Sequence, residues 1–161
     1  MWHPPTAVEK ELWDAVVAGV RAVDQADRRG LETAVNRLLR LPPGWTHGVL
    51  GDTAGLLVEE LVPDAHDLWP LLAAQVGRTE TWLPEVDGRL LAVLLPGRRL
   101  PPATDVPGEP GNIRHRLLLI AYLADAAQVW VGAFVDVALA GASRRASRPL
   151  ARSVPHSRVG N

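Results

Sequence analysis

The chain reads as all-α: a single-domain bundle of about six helices around a long C-terminal central helix, followed by a disordered basic tail. Three observations predict this. Apolar residues recur at three- and four-residue spacing in almost every segment. Proline and glycine fall mostly between those segments, where they punctuate helices. And residues 112–142, NIRHRLLLIAYLADAAQVWVGAFVDVALAGA, hold no proline and only Gly132 and Gly141. With 161 residues, 47% of them hydrophobic, one domain can bury a sizeable core. The bundle domain is assigned to 6–142 and the Arg/Ser-rich tail to 143–161.

The elements follow in order. Thr6 to Arg29 is the first helix. Thr6 and Glu9 have capping-box spacing, Val8, Leu12, Val16, Val20 and Val23 mark one apolar face, and Gly30 is a natural stop. Leu31 to Leu41 is a second, shorter helix, ended by Pro42-Pro43-Gly44. The third runs from Trp45 to Leu61, with Val49, Leu50, Ala54, Leu57 and Leu61 inward. Asp64 or Asp67 caps a fourth, which carries Pro70 in its first turn and ends by Gly77. Thr79 to Leu95 admits two readings. Asp87-Gly88 suits a type I′ hairpin turn, but the run Arg89 to Leu95 is leucine-rich with little β-branching, and helix is the reading adopted. Pro96 to Gly111 is a Pro/Gly-rich surface loop.

The 112–142 stretch reads as one continuous helix, roughly 43 Å long at 1.5 Å per residue. Arg114, Asp125, Gln128 and Asp136 fall on one narrow stripe at 100° per residue, together with Ala121 and Gly132, and from Leu117 onward the rest is apolar. Such a helix is either a buried spine or a membrane span. Its length suffices to cross a bilayer, which takes about 20 residues. Asp125 and Asp136 inside the span would each cost about 2.5 to 3.5 kcal/mol, so no transmembrane span is expected. Ala138, Ala140, Gly141 and Ala142 permit close helix approach, which makes a homodimer through this helix one expectation.

Charge is distributed unevenly. Five arginines and no acid fall in 143–161, so a chain of net charge −1 has a body of −6. An acidic body disfavours nucleic acid, whose phosphates call for clustered Lys and Arg. The tail arginines Arg144, Arg145, Arg148 and Arg152 are candidate contacts to an acidic partner or to the acidic body itself. Cysteine is absent, which excludes disulfides and thiolate chemistry. The N-terminal residues MWHPPTAVEKELWD do not follow the signal-peptide pattern, and the expected location is cytoplasmic.

Catalytic grammar is thin. The sequence has no glycine-rich phosphate loop, no G-x-S-x-G and no H-E-x-x-H. Asp24 and Asp27 read as solvated residues near a helix end. His47, His66-Asp67 and Asp125 follow one another in an order that resembles the HD phosphohydrolase pattern. That resemblance implies one or two divalent metals held by these four residues, activating a water against a phosphoester. Yet Asp67 just after Pro63 is better explained as an N-cap. No cofactor is expected.

A second constellation is Asp125, Gln128 and Asp136, flanked by Tyr122 and Trp130. It is either a solvent-facing stripe or a polar patch in a cavity that binds a cationic or hydrogen-bonding ligand. Of six tryptophans, all but Trp2 are spread one to a segment (Trp13, Trp45, Trp69, Trp82 and Trp130), as core filling or as an aromatic-lined pocket. The first reading is a non-enzymatic helical interaction or regulatory module with another protein as its partner. The alternatives are a small-molecule-binding domain with a Trp-lined pocket and an HD-like metal phosphohydrolase.

Overall fold

A computed structural model of the chain describes residues 5–61, 68–96 and 109–147. These form seven α-helices: α1 (Ala7–Asp24), α2 (Arg28–Leu39), α3 (Pro43–Leu61), α4 (Trp69–Thr79), α5 (Gly88–Leu94), α6 (Glu109–Ala127) and α7 (Val131–Ser147). No strand occurs among the described residues, so Asp87-Gly88 does not turn a hairpin.

The spine is α6. It packs against α1, α2, α3 and α5, while α1 also lies along α2, and α3 along α7. Eight consecutive residues, Leu117 to Ala124, are buried. A helix buried all round has no polar face to show, and its neighbours supply the amphipathic shell: Leu12 and Val16 from α1, Leu31 and Leu38 from α2, Leu50 and Leu57 from α3. No described helix is long and apolar enough to cross a membrane.

Local signals set most helix starts. Thr6 caps α1 by accepting from the Glu9 amide, and its hydroxyl donates to the Glu9 carboxylate. Asp87 caps α5 through the amides of Arg89 and Leu90. Pro43 opens α3, and Pro70 and Pro110 sit in the first turns of α4 and α6, where no intrahelical N–H is needed. Pro84, in contrast, lies in the turn before α5 and not in a helix.

The expected single helix over 112–142 is two helices. Between them Gln128 adopts φ 55°. The Val129 amide returns to the Ala124 carbonyl at 3.1 Å, and that of Gln128 to Asp125 at 3.1 Å. This pair of bonds is a Schellman ending, which usually places glycine at the left-handed residue. The first helix ends the same way. Ala26 has φ 53°, and the amides of Asp27 and Ala26 bond the carbonyls of Ala22 and Val23. α1 therefore stops at Asp24 and not at Arg29. Gly30, read as a stop, lies in the first turn of α2, where its amide donates to the capping carboxylate of Asp27 at 3.0 Å.

Three further boundaries differ. α4 runs through Gly77 to Thr79; an added Cβ at Gly77 would meet open space. α6 begins at Glu109, inside the expected loop. α7 continues past Ala142 to Ser147 and so takes in Arg144 and Arg145. Asp64, Asp67 and the rest of the tail, including Arg148 and Arg152, lie outside the described residues.

Ion pairs tie the shell together. Arg37 of α2 grips Glu11 of α1 through two nitrogens at 2.7 and 3.2 Å. Arg114 of α6 holds Glu32 of α2 at 2.6 and 2.9 Å. Arg28 reaches Glu85, and Arg145 reaches Asp52. The last two pairs are exposed and screened by solvent. They locate the helix ends more than they stabilise the fold.

Candidate functional site

α1 and α6 both terminate at the same end of their shared seam, and the two Schellman endings determine what is found there. Asp24 is the last residue of α1, and Asp125 lies two residues before the last of α6. Two carboxylates thus sit at two helix C-termini, where the helix dipole already places partial negative charge. Burial raises the Asp24 carboxyl above its ordinary value, and the facing Asp125 charge raises it further. Asp24, expected to be merely solvated, is one half of an acidic pair; Asp27 is an N-cap.

The pair stands between two open hollows. The first, of about 420 Å³, is walled by the last turns of α1 and α6 and by the 128–130 connection, with Arg21 on its rim. The second, of about 380 Å³, shares Asp24, Ala121 and Asp125 with the first and extends to Gln75, Arg78 and Trp82. The two make one trough along the α1–α6 seam with the carboxylates at its middle. Gln75 of α4 donates to Asp125 Oδ2 at 2.8 Å, and the Gln128 amide group donates to the Asp125 carbonyl at 2.6 Å.

Trp130 bounds the first hollow. Among the described residues four large apolar side chains are exposed, and at 61% Trp130 is the most exposed of them. It is not loose. Its ring meets Trp13 edge-on, with centroids 5.7 Å apart and planes at 72°. The Trp13 indole N–H in turn donates to the Gly132 carbonyl at 3.1 Å. Gly132 leaves room for both rings: an added Cβ would stand 2.5 Å from Trp130 and 2.8 Å from Trp13. An exposed indole held by a second indole is a preformed apolar platform.

Of the candidate residues from the sequence, Asp125, Gln128 and Trp130 meet in the first hollow. Tyr122 lines the second, is itself buried, and shares a hydrogen bond with Thr79. Burial pushes its phenol above the ordinary range. Asp136 is exposed on α7 and lines neither hollow, because the break at Gln128 takes α7 off the line of α6. Sequence reasoning missed Trp13, Asp24, Arg21 and Gln75. Only Asp24 carried a signal, as an acid at a helix C-terminus.

The four residues of the metal reading are not brought together among the described residues. Among the described residues no group of three or more His, Asp or Glu is placed to hold a metal ion. His66 and Asp67 lie outside the described residues, and Asp125 is engaged by Gln75.

The fold and site define an all-helical bundle with a tryptophan-walled trough, holding a carboxylate pair, at one end of its central seam. Comparison with protein families, curated proteins and solved structures finds no match to this chain.

Proposed function

We propose that the chain is a non-enzymatic helical interaction module that engages another protein through this trough. Trp130 is the anchor, and a basic group of the partner lies over Asp24 and Asp125. The observation that carries the reading is Trp130, an exposed indole fixed by Trp13 and Gly132. Tryptophan is enriched among residues that dominate binding energy, and a rigid anchor loses little entropy on binding.

The acidic pair supports the same reading. Like charges facing each other at two helix C-termini destabilise the free protein, and local rules are broken most often at functional sites. A cation between them would remove the repulsion, and the indole face beside it would add a cation–π contact. Arg21 and Arg78 on the rims balance the formal charge of the two carboxylates, so recognition falls to a cation seated directly between Asp24 and Asp125.

The test is affinity purification from the native cell with the wild-type chain, Trp130→Ala and Asp24→Asn/Asp125→Asn, with bound proteins and small molecules both identified. A partner retained by wild type should be weakened about 30-fold by Trp130→Ala, the ~2 kcal/mol typical of an aromatic anchor. A protein held equally by all three forms refutes the assignment to the trough. The 420 Å³ hollow favours a second reading, a small organic cation as ligand. A co-purifying amine lost in both variants would select it.

A further inference from the structure

The motif that the trough does not absorb is the buried histidine of α6. His115 is only 4% exposed, and both ring nitrogens are engaged. Nδ1 lies 2.7 Å from the Gly111 carbonyl, which accepts and so must face an N–H. Nε2 therefore carries the lone pair, and it accepts from the Asp87 amide at 2.9 Å. The ring is neutral in this arrangement, with its tautomer fixed by its two partners. A proton on Nε2 would set an N–H against an N–H.

Asp87 is where this matters. Its side chain caps α5, and its amide ends the turn that leads from α4. That turn carries Thr81 and Trp82 into the second hollow. It is held to the bundle by Leu83 in the core, by Glu85 on Arg28 and by Asp87 on His115. Only the last of these holds runs through an imidazole, the side chain whose ordinary titration falls near neutrality.

We propose that His115 is a proton-operated latch: neutral, it fastens Asp87 and the start of α5 to α6; protonated, it releases them and loosens the Trp82 wall of the trough. The regulatory part rests on the trough being the working surface; the latch itself does not. Burial is the main influence keeping the ring uncharged, and the neighbouring Arg114 adds to it; the Gly111 carbonyl and the Asp87 carboxylate oppose it. The Arg114 charge is itself drawn to Glu32 of α2 and felt by Glu85.

The experiment is amide exchange of the full chain from pH 7.5 to 5.0, a window above the ordinary carboxylate range, read as the protection factor of Asp87. A site that must bind one proton to open shifts its opening equilibrium about tenfold per pH unit below the free-histidine value near 6.5. The Asp87 protection factor should fall with that slope once the pH passes below the free value, and at every pH it should stay below those of Leu117 to Leu119, which open only with the whole fold. In His115→Gln it should be flat. A wild-type Asp87 amide whose protection does not change with pH, or a variant that shows the same fall, overturns the latch. Partner capture at pH 7.5, where the latch is closed, tests the trough separately. Its failure there would sink the binding reading and leave the exchange result standing.

Discussion

Replacing Gly132 with alanine tests whether the two indoles form one rigid unit. A Cβ there would stand 2.5 and 2.7 Å from Trp130 ring carbons and 2.8 Å from Trp13, against an ordinary contact of 3.4–4 Å. The rings must therefore recede by about an ångström. Trp130 is exposed and can swing into solvent; Trp13 is tied to the backbone at Gly132 itself. The edge-on pair contributes about 0.5–1.5 kcal/mol and the indole hydrogen bond about as much. Alanine returns at most about 1 kcal/mol of helix propensity over glycine. The net loss should be about 1 kcal/mol, a fall of about 2–4 °C in Tm for a domain of this size. Calorimetry measures the stability, and the Trp13 and Trp130 indole N–H resonances report the geometry. Unchanged indole resonances with equal or higher stability would refute the argument.

Other substitutions follow from the same contacts. Gly19→Ala places a methyl 3.0 Å from Leu117 and 3.1 Å from Ala34, both in the core. Overpacking of about 1–3 kcal/mol should outweigh the propensity gain, and urea denaturation should show a lower midpoint. Ala26→Gly relieves a left-handed alanine and should stabilise by about 0.5–1 kcal/mol on the same assay; Ala26→Val should destabilise. Asp24→Asn removes a carboxylate whose ionisation the fold opposes. It should raise the melting temperature at pH 7 while weakening partner binding; a loss of stability would mean that Asp24 is structural. Because burial holds His115 below its ordinary value, the unfolded chain binds more protons than the folded one as pH drops below about 6.5. Stability is full above that pH and declines below it by up to about 1.4 kcal/mol per unit, measurable by denaturation at pH 7.5, 6.0 and 5.0.

Much of the fold could be read from spacing. The Thr6 cap, the inward faces of α1 to α3 and the buried run in α6 all follow from residue type and period. The endings could not be read so well, for one physical reason. Both Schellman motifs use a residue other than glycine, Ala26 and Gln128, and neither residue signals a left-handed turn. Gln128-Val129-Trp130 would extend a helix as readily as its neighbours. What stops it is tertiary: Trp130 meets Trp13 edge-on, 117 positions away in sequence, and the Gly132 carbonyl takes the Trp13 indole N–H. The glycines misled in the opposite sense, since Gly30 and Gly77 sit within helices.

The candidate site was legible in part for the same reason. Asp125, Gln128 and Trp130 are neighbours by helical spacing and are neighbours in the trough, but through a turn. Asp136 aligns with Asp125 only on a straight helix. Asp24 and Trp13 reach the site from α1, a meeting that no single-segment periodicity contains.

The most direct test of the trough as the working surface is photo-crosslinking in the native cell, with a photoreactive phenylalanine at position 21, on the rim of the first hollow, which leaves Trp130 in place, and, as the exposed control, at position 71. Engagement through the trough predicts a discrete crosslinked partner from position 21, absent from position 71 and lost when Asp24 and Asp125 are both replaced by asparagine. A partner captured from position 71, or from position 21 regardless of the two carboxylates, would contradict it.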